Sequence, residues 1–207
     1  MSTVGTFVGA LHFGNSLVTN TTVNGVTSTG INPGSFTANT ITSGDFTLAT
    51  ANPARAFGAV SPDNLGTPFN TLSASYQSLL QRVLSGSAGP FTMTLTMNNL
   101  VAGATYQFEW WKDTSSLPNR TTTATAGNAV TLNSNPSNAP GGLGQFALGT
   151  FVADATTSQA ITFAASSDAV LNGFQLRKTA DPVVPEPGTA LFGLALLAPA
   201  LTRRTRR

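Results

Sequence analysis

The residues with the most chemical potential in this chain fall between positions 107 and 121. Glu109 and Asp113 are two carboxylates close in sequence, and paired carboxylates are what glycoside hydrolysis uses as acid, base or nucleophile. If the strand through Glu109 continues to Asp113, both face one way about 13 Å apart, too far to act as a pair. Trp110 and Trp111 are adjacent, so an extended chain sends them to opposite faces. Trp110 sides with Tyr106 and Phe108, the core side, and Trp111 with Gln107 and Glu109, the polar side. An exposed Trp111 beside Asp113, Asn119 and Arg120 is a candidate sugar platform, with the ring stacking and the polar groups binding hydroxyls. The competing reading is that a helix or loop covers Trp111, the commoner fate of a large apolar side chain.

Other chemistries find less support. His12 is the single histidine and there is no cysteine, so no zinc set can be assembled around it. No G-x-S-x-G elbow accompanies it either. Asp154 and Asp168 sit at strand ends without an EF-hand-type loop, which reads as turn formation rather than calcium binding. The expectation is a non-enzyme without cofactor or metal.

The elements that must position these residues are strands. Thr6–Phe13, short runs at Ser35–Ala38 and Phe46–Ala49, Phe91–Met97, Thr105–Trp111, Thr121–Ala126, Ala129–Leu132, Gln145–Ala153, Gln159–Ala165 and Val170–Lys178 are separated by turn signals such as Asn24-Gly25 and Gly127-Asn128. Leu72, Tyr76, Leu79, Leu80, Val83 and Leu84 recur at helical spacing, predicting one helix over Leu72–Leu84. Ser73 or Ser75 would cap its start and Gly86 would end it. The fold class expected is an all-β, antiparallel, jelly-roll-like β-sandwich over residues 1–178 with that one amphipathic helix.

Charge is scarce and unevenly placed. Charged residues make up 9% of the chain, against about a quarter in an ordinary globular domain. Residues 1–184 carry six basic and seven acidic side chains, a net of −1, so the overall +2 comes from the C-terminus and argues against nucleic-acid binding. Without cysteine, an exported protein must rely on its core rather than on disulfides.

The C-terminal stretch has a different design. After a linker at 179–184 comes Pro185-Glu186-Pro187, then a run uncharged to Thr202, then Arg203, Arg204, Arg206 and Arg207. An apolar segment closed by arginines is a membrane stop with its basic end on the cytoplasmic side. As helix the run reaches about 24 Å, short of a hydrocarbon core of about 30 Å, which suits a transient anchor.

These three parts closely resemble the PEP-CTERM sorting signal of bacterial exosortase substrates, over residues 185–207. The resemblance implies export and brief retention in the inner membrane through a C-terminal transmembrane-type helix. It further implies cleavage near Pro185–Pro187 by exosortase and delivery to the cell surface or an extracellular polysaccharide. Met1–Leu17 lacks the features of a signal peptide, so the expectation is a gene start placed too late. The phrases NNLVAGATYQFEWWKD, GTFVADATTSQAITF and LNGFQLRK also resemble β-sandwich bodies of such sorted proteins, a resemblance that carries over no functional residue. The functional expectation is a structural or adhesive surface protein, with a carbohydrate-binding module as the alternative and a glycan-active hydrolase third.

Overall fold

The structure is a computed structural model. It describes residues 1–14, 18–52, 57–60, 66–86, 89–114, 120–167 and 169–183. Its strands are β1 (Thr6–Phe13), β2 (Thr21–Val23), β3 (Val26–Ile31), β4 (Ser35–Ala38), β5 (Thr40–Ser43), β6 (Phe46–Thr50), β7 (Phe57–Val60) and β8 (Val83–Gly86). The second half adds β9 (Phe91–Met97), β10 (Thr105–Lys112), β11 (Thr121–Ala126), β12 (Asn128–Asn133), β13 (Gln145–Val152), β14 (Gln159–Ala165), β15 (Ala169–Leu171) and β16 (Gly173–Ala180). One α-helix, α1 (Ala74–Leu80), precedes β8.

Two six-stranded sheets make the sandwich. The first runs β13-β10-β16-β1-β3-β2 and the second β12-β11-β14-β9-β6-β5. Pairing is antiparallel except between β1 and β3, which run parallel. A small third sheet, β15-β8-β7-β4, completes the body. Period-two alternation explains the layers: in β9 Phe91, Met93, Leu95 and Met97 are buried and the intervening threonines are half-exposed. They meet Tyr106, Phe108 and Trp110 of β10 and Phe174 and Leu176 of β16 in one core. Trp110 stands edge-on to Phe163 with centroids 5.1 Å apart, and Phe46 edge-on to Phe174 at 5.1 Å.

The outward face of the second sheet is a field of threonines. Register sets Thr40, Ala49, Thr94, Thr162, Thr125 and Ala129 in one line across all six strands. No charged side chain stands on the outward positions of these strands.

The helix is shorter than its apolar spacing predicts. Ser73 does cap it, accepting the Tyr76 N–H, but it stops at Leu80 instead of reaching Leu84. The cause is Asn172, whose Nδ2 donates to the carbonyls of Leu80 and Arg82, both at 2.8 Å. The carbonyls a helix leaves open at its end are thus taken by a side chain from another element. Val83 and Leu84 then enter β8, and Gly86 lies within that strand rather than ending the helix. Among the described residues no helix is long and apolar enough to cross a membrane. The expected C-terminal helix at 185–207 lies outside the described residues.

Candidate functional site

The outward face of the first sheet is covered around Trp111 and Glu109, and that cover defines the site. Alternation along β10 sends Gln107, Glu109 and Trp111 away from the sandwich core. Helix α1 and the β2–β3 hairpin lie over Trp111. Trp111 packs with Met1, Ala10, Val23, Val26 and Leu79, with Tyr76 and Leu80 at the margin, in a second core. Only 6% of Trp111 is exposed. The aromatic ring that sequence offers as a platform is a wall of this second core instead.

Glu109 holds the N-terminus. Its Oε2 accepts the Ser2 N–H at 2.7 Å and its Oε1 lies 3.7 Å from the Met1 amine. The same amine donates to the Tyr76 hydroxyl at 3.2 Å. Gln175 Nε2 donates to the Ser2 carbonyl at 2.7 Å, and Arg177 donates through Nε to the Val4 carbonyl and through Nη2 to those of Thr3 and Gly5. Residues 1–5 therefore lie as a strap along the sheet, fastened by three polar side chains of β10 and β16.

Asp113 is buried just beyond β10. Its Oδ1 accepts the Gly144 N–H at 2.8 Å, fixing the chain where β13 begins. Its backbone is held on both sides by Asn172. Lys112 is fully buried and points its Nζ toward the Val170 carbonyl at 3.5 Å. Arg120 sits elsewhere, its N–H donating to Ser134 Oγ at 3.2 Å. Asn119 lies outside the described residues, as do Asp168 and Pro185, Glu186, Pro187, Arg203, Arg204, Arg206 and Arg207.

A cleft of about 210 Å³ remains between α1, the strap and the start of β13. Glu109, Trp111 and Asp113 line it together with Tyr76, Gln145 and Phe146. The structure thus unites three of the sequence candidates and leaves Arg120 out of that lining. Tyr76, Gln145 and Phe146 escape sequence reading because they come from a helix and a distant strand; the exposed Phe at the head of a strand is the signal they carry. The cleft has room for a small molecule about the size of a single ring. Both of its carboxylates are already engaged with backbone N–H groups.

His12 is buried on the same face. Its Nδ1 lies 3.1 Å from Ser28 Oγ, and its Nε2 has no hydrogen-bond partner within normal geometry. Burial pushes its pKa below the usual 6.5, and the nearby Thr19 backbone opposes this in part. Among the described residues no group of three or more His, Asp or Glu side chains is placed to hold a metal ion.

No protein-family model matches this chain, and no curated protein does. Partial likeness to solved structures is found. The enzymatically active domain of bacteriophage CBA120 tailspike protein 4 is 11% identical with a TM-score of 0.33, over 65% of this chain and 18% of that one. Bacteroides uniformis beta-glucuronidase 2 is 14% identical with a TM-score of 0.45, over 82% of this chain and 17% of that one. A family 35 carbohydrate-binding module from Clostridium thermocellum is 12% identical with a TM-score of 0.34, over 63% of this chain and 96% of that one. The chain therefore spans under a fifth of the tailspike domain and of the glucuronidase.

Proposed function

We propose that the chain is an exported protein, tethered in the inner membrane by residues 185–207, processed there by exosortase and delivered to the cell surface or an extracellular polysaccharide matrix. The body then serves as a structural or adhesive component. The observation that carries the role of the body is the burial of Trp111 beneath α1, together with the engagement of Glu109 and Asp113 in holding the chain. The groups that would bind or cut a glycan are spent on the fold. What faces solvent from the second sheet is uncharged and hydroxyl-rich, a surface suited to a hydrated neutral matrix.

Mass spectrometry of the protein recovered from its native cells tests the reading. The expected result is a body found outside the cell that ends near Pro185–Pro187. An intact C-terminus in a cytosolic fraction overturns the sorting and, with it, the matrix role.

A second reading, carbohydrate binding, has one observation in its favour. The cleft beside Tyr76, Gln145 and Phe146 is open, and Phe146 presents a ring at its mouth. Titration with neutral oligosaccharides, native against Phe146→Ala, separates the readings: saturable binding lost in the variant supports a binding module, and heat-silent titrations support the structural role.

A further inference from the structure

Among the described residues, one flank of the sandwich lacks the devices that keep strand edges apart. β13 is the outermost strand of the first sheet and β12 that of the second, and the two are neighbours. Among the described residues no strand pairs with the free edge of either. Between them opens a cleft of about 370 Å³, lined by Phe108, Trp110, Val130, Ala147, Phe151 and Ile161 among others. At its rim Leu148 is 49% exposed and Val130 45%, and outside it Phe146 is 64% exposed and Val152 61%.

Free edges are ordinarily protected by lysine, proline, a bulge or a covering loop. β13 has no lysine and no proline, and its register with β10 runs unbroken from Thr105–Val152 to Lys112–Gln145. Between Arg120 and Asp154 the sequence carries no charged side chain at all. A flank that is neutral, apolar and straight offers nothing to an acidic or basic partner. It is complementary to itself, since a second copy brings neither like-charge repulsion nor a charge to desolvate.

We infer that this flank is an interface between two copies of the chain, with β13 pairing antiparallel to its counterpart about a two-fold axis normal to the sheets. Residues opposite each other across such a ladder share a face, so the axis passes beside a residue and not between two. An axis at Gly149 sets Phe146 of one copy opposite Val152 of the other, twice, and Ala147 opposite Phe151. The same axis brings the two β12 edges toward each other and covers the cleft mouth. Seven paired residues make about 24 Å of ladder, and two layers about 10 Å apart with their side chains make a flank about 20 Å thick. That face is on the order of 500 Å² per copy, about 1,000 Å² in total, which places the dimer with weak specific interfaces. The inference stands independently of sorting, because it uses only residues of the body.

The chain has no cysteine, so a single introduced one reports one contact. A Cβ at Gly149 meets no atom within 4 Å. Across an antiparallel pair the Cα atoms are about 4.5–5.5 Å apart, within the span a disulfide bridges. The full chain is held in mild detergent to keep its apolar C-terminus solvated, and oxidised as Gly149→Cys, as Thr42→Cys on the far edge strand β5, and as Gly149→Cys with Leu148→Lys. The expected result is a covalent dimer from the first and monomer from the other two. Equal cross-linking at positions 149 and 42, or a cross-link that survives Leu148→Lys, overturns the interface. If circular dichroism finds Gly149→Cys misfolded, sedimentation decides. The native chain is expected to dimerise with rising concentration and Leu148→Lys to stay monomeric. Equal behaviour, or a native monomer carrying an apolar molecule in the cleft, overturns the proposal.

Discussion

Asn172 grips both backbone groups of Asp113: its Oδ1 accepts the Asp113 N–H at 2.6 Å and its Nδ2 donates to the Asp113 carbonyl at 3.0 Å. The same amide closes the end of α1 through Leu80 and Arg82. Its backbone joins in, accepting from the Phe13 N–H and donating to the Trp111 carbonyl. One fully buried residue therefore ties β1, β10, the end of α1 and the chain just before β8 together. An aspartate here would present oxygen to three carbonyls in place of N–H. We expect Asn172→Asp to lower unfolding free energy by about 3 kcal/mol or more, read by urea denaturation. A loss under 1 kcal/mol would show that the junction does not depend on this amide.

Trp110 and Trp111 are buried on opposite faces of β10, one in each core. Their fluorescence is expected to be blue-shifted and poorly quenched by iodide in the native chain. Trp111→Ala empties the second core and is expected to cost about 3–5 kcal/mol, while Trp111→Phe costs less because much of the volume is kept. Strong iodide quenching that Trp111→Phe removes would put Trp111 at the surface and contradict its burial.

His12 supplies a pH dependence with a definite sign. Burial lowers its folded-state pKa below the ordinary 6.5, so in the window between the two values the unfolded chain binds more protons. Stability from this residue is complete above about pH 6.5 and falls as pH drops through that value, until the folded-state pKa is passed. Denaturant midpoints of the native chain should decline across that window, and His12→Gln should flatten the decline. A slope identical in both proteins assigns it to other groups.

Gly144 packs against the backbone of Lys112 and Asp113, where an added Cβ would fall on the Lys112 carbonyl oxygen. Because that neighbour is backbone, β13 must move to make room, and the Asp113–Gly144 hydrogen bond opens with it. Gly144→Ala is expected to cost about 2 kcal/mol, seen as a lower melting temperature. An unchanged melting temperature would mean that the start of β13 is free to shift.

Sequence pattern reaches as far as short-range physics does. Phe91–Met97 reads as a half-buried strand because alternation is local, and Asn24-Gly25 reads as a hairpin because both residues take positive φ, at 52° and 74°. The opposite faces of Trp110 and Trp111 follow from pleat alone. The cover over Trp111 does not, because Leu79 and Val26 reach it from elsewhere in the chain. Val83 and Leu84 fit a helix and a buried strand equally well, and the choice is made by Asn172, some 90 positions away. Arg177 carries no local signal of its role, yet it binds three carbonyls of the N-terminal strap. Contacts between side chains and distant backbone leave no periodicity to find.

The place of β16 within its sheet has a mechanical meaning. This last strand lies between β10 and β1, antiparallel to both, and the chain beyond it departs from the end at Ala180. A pull directed along the axis of β16 loads this strand end-on. Such a load slides the strand against two hydrogen-bond ladders at once, which must yield together, whereas a pull on an edge strand would unzip one ladder bond by bond. Tension directed along β16 is therefore shared in shear by its ladders with β10 and β1.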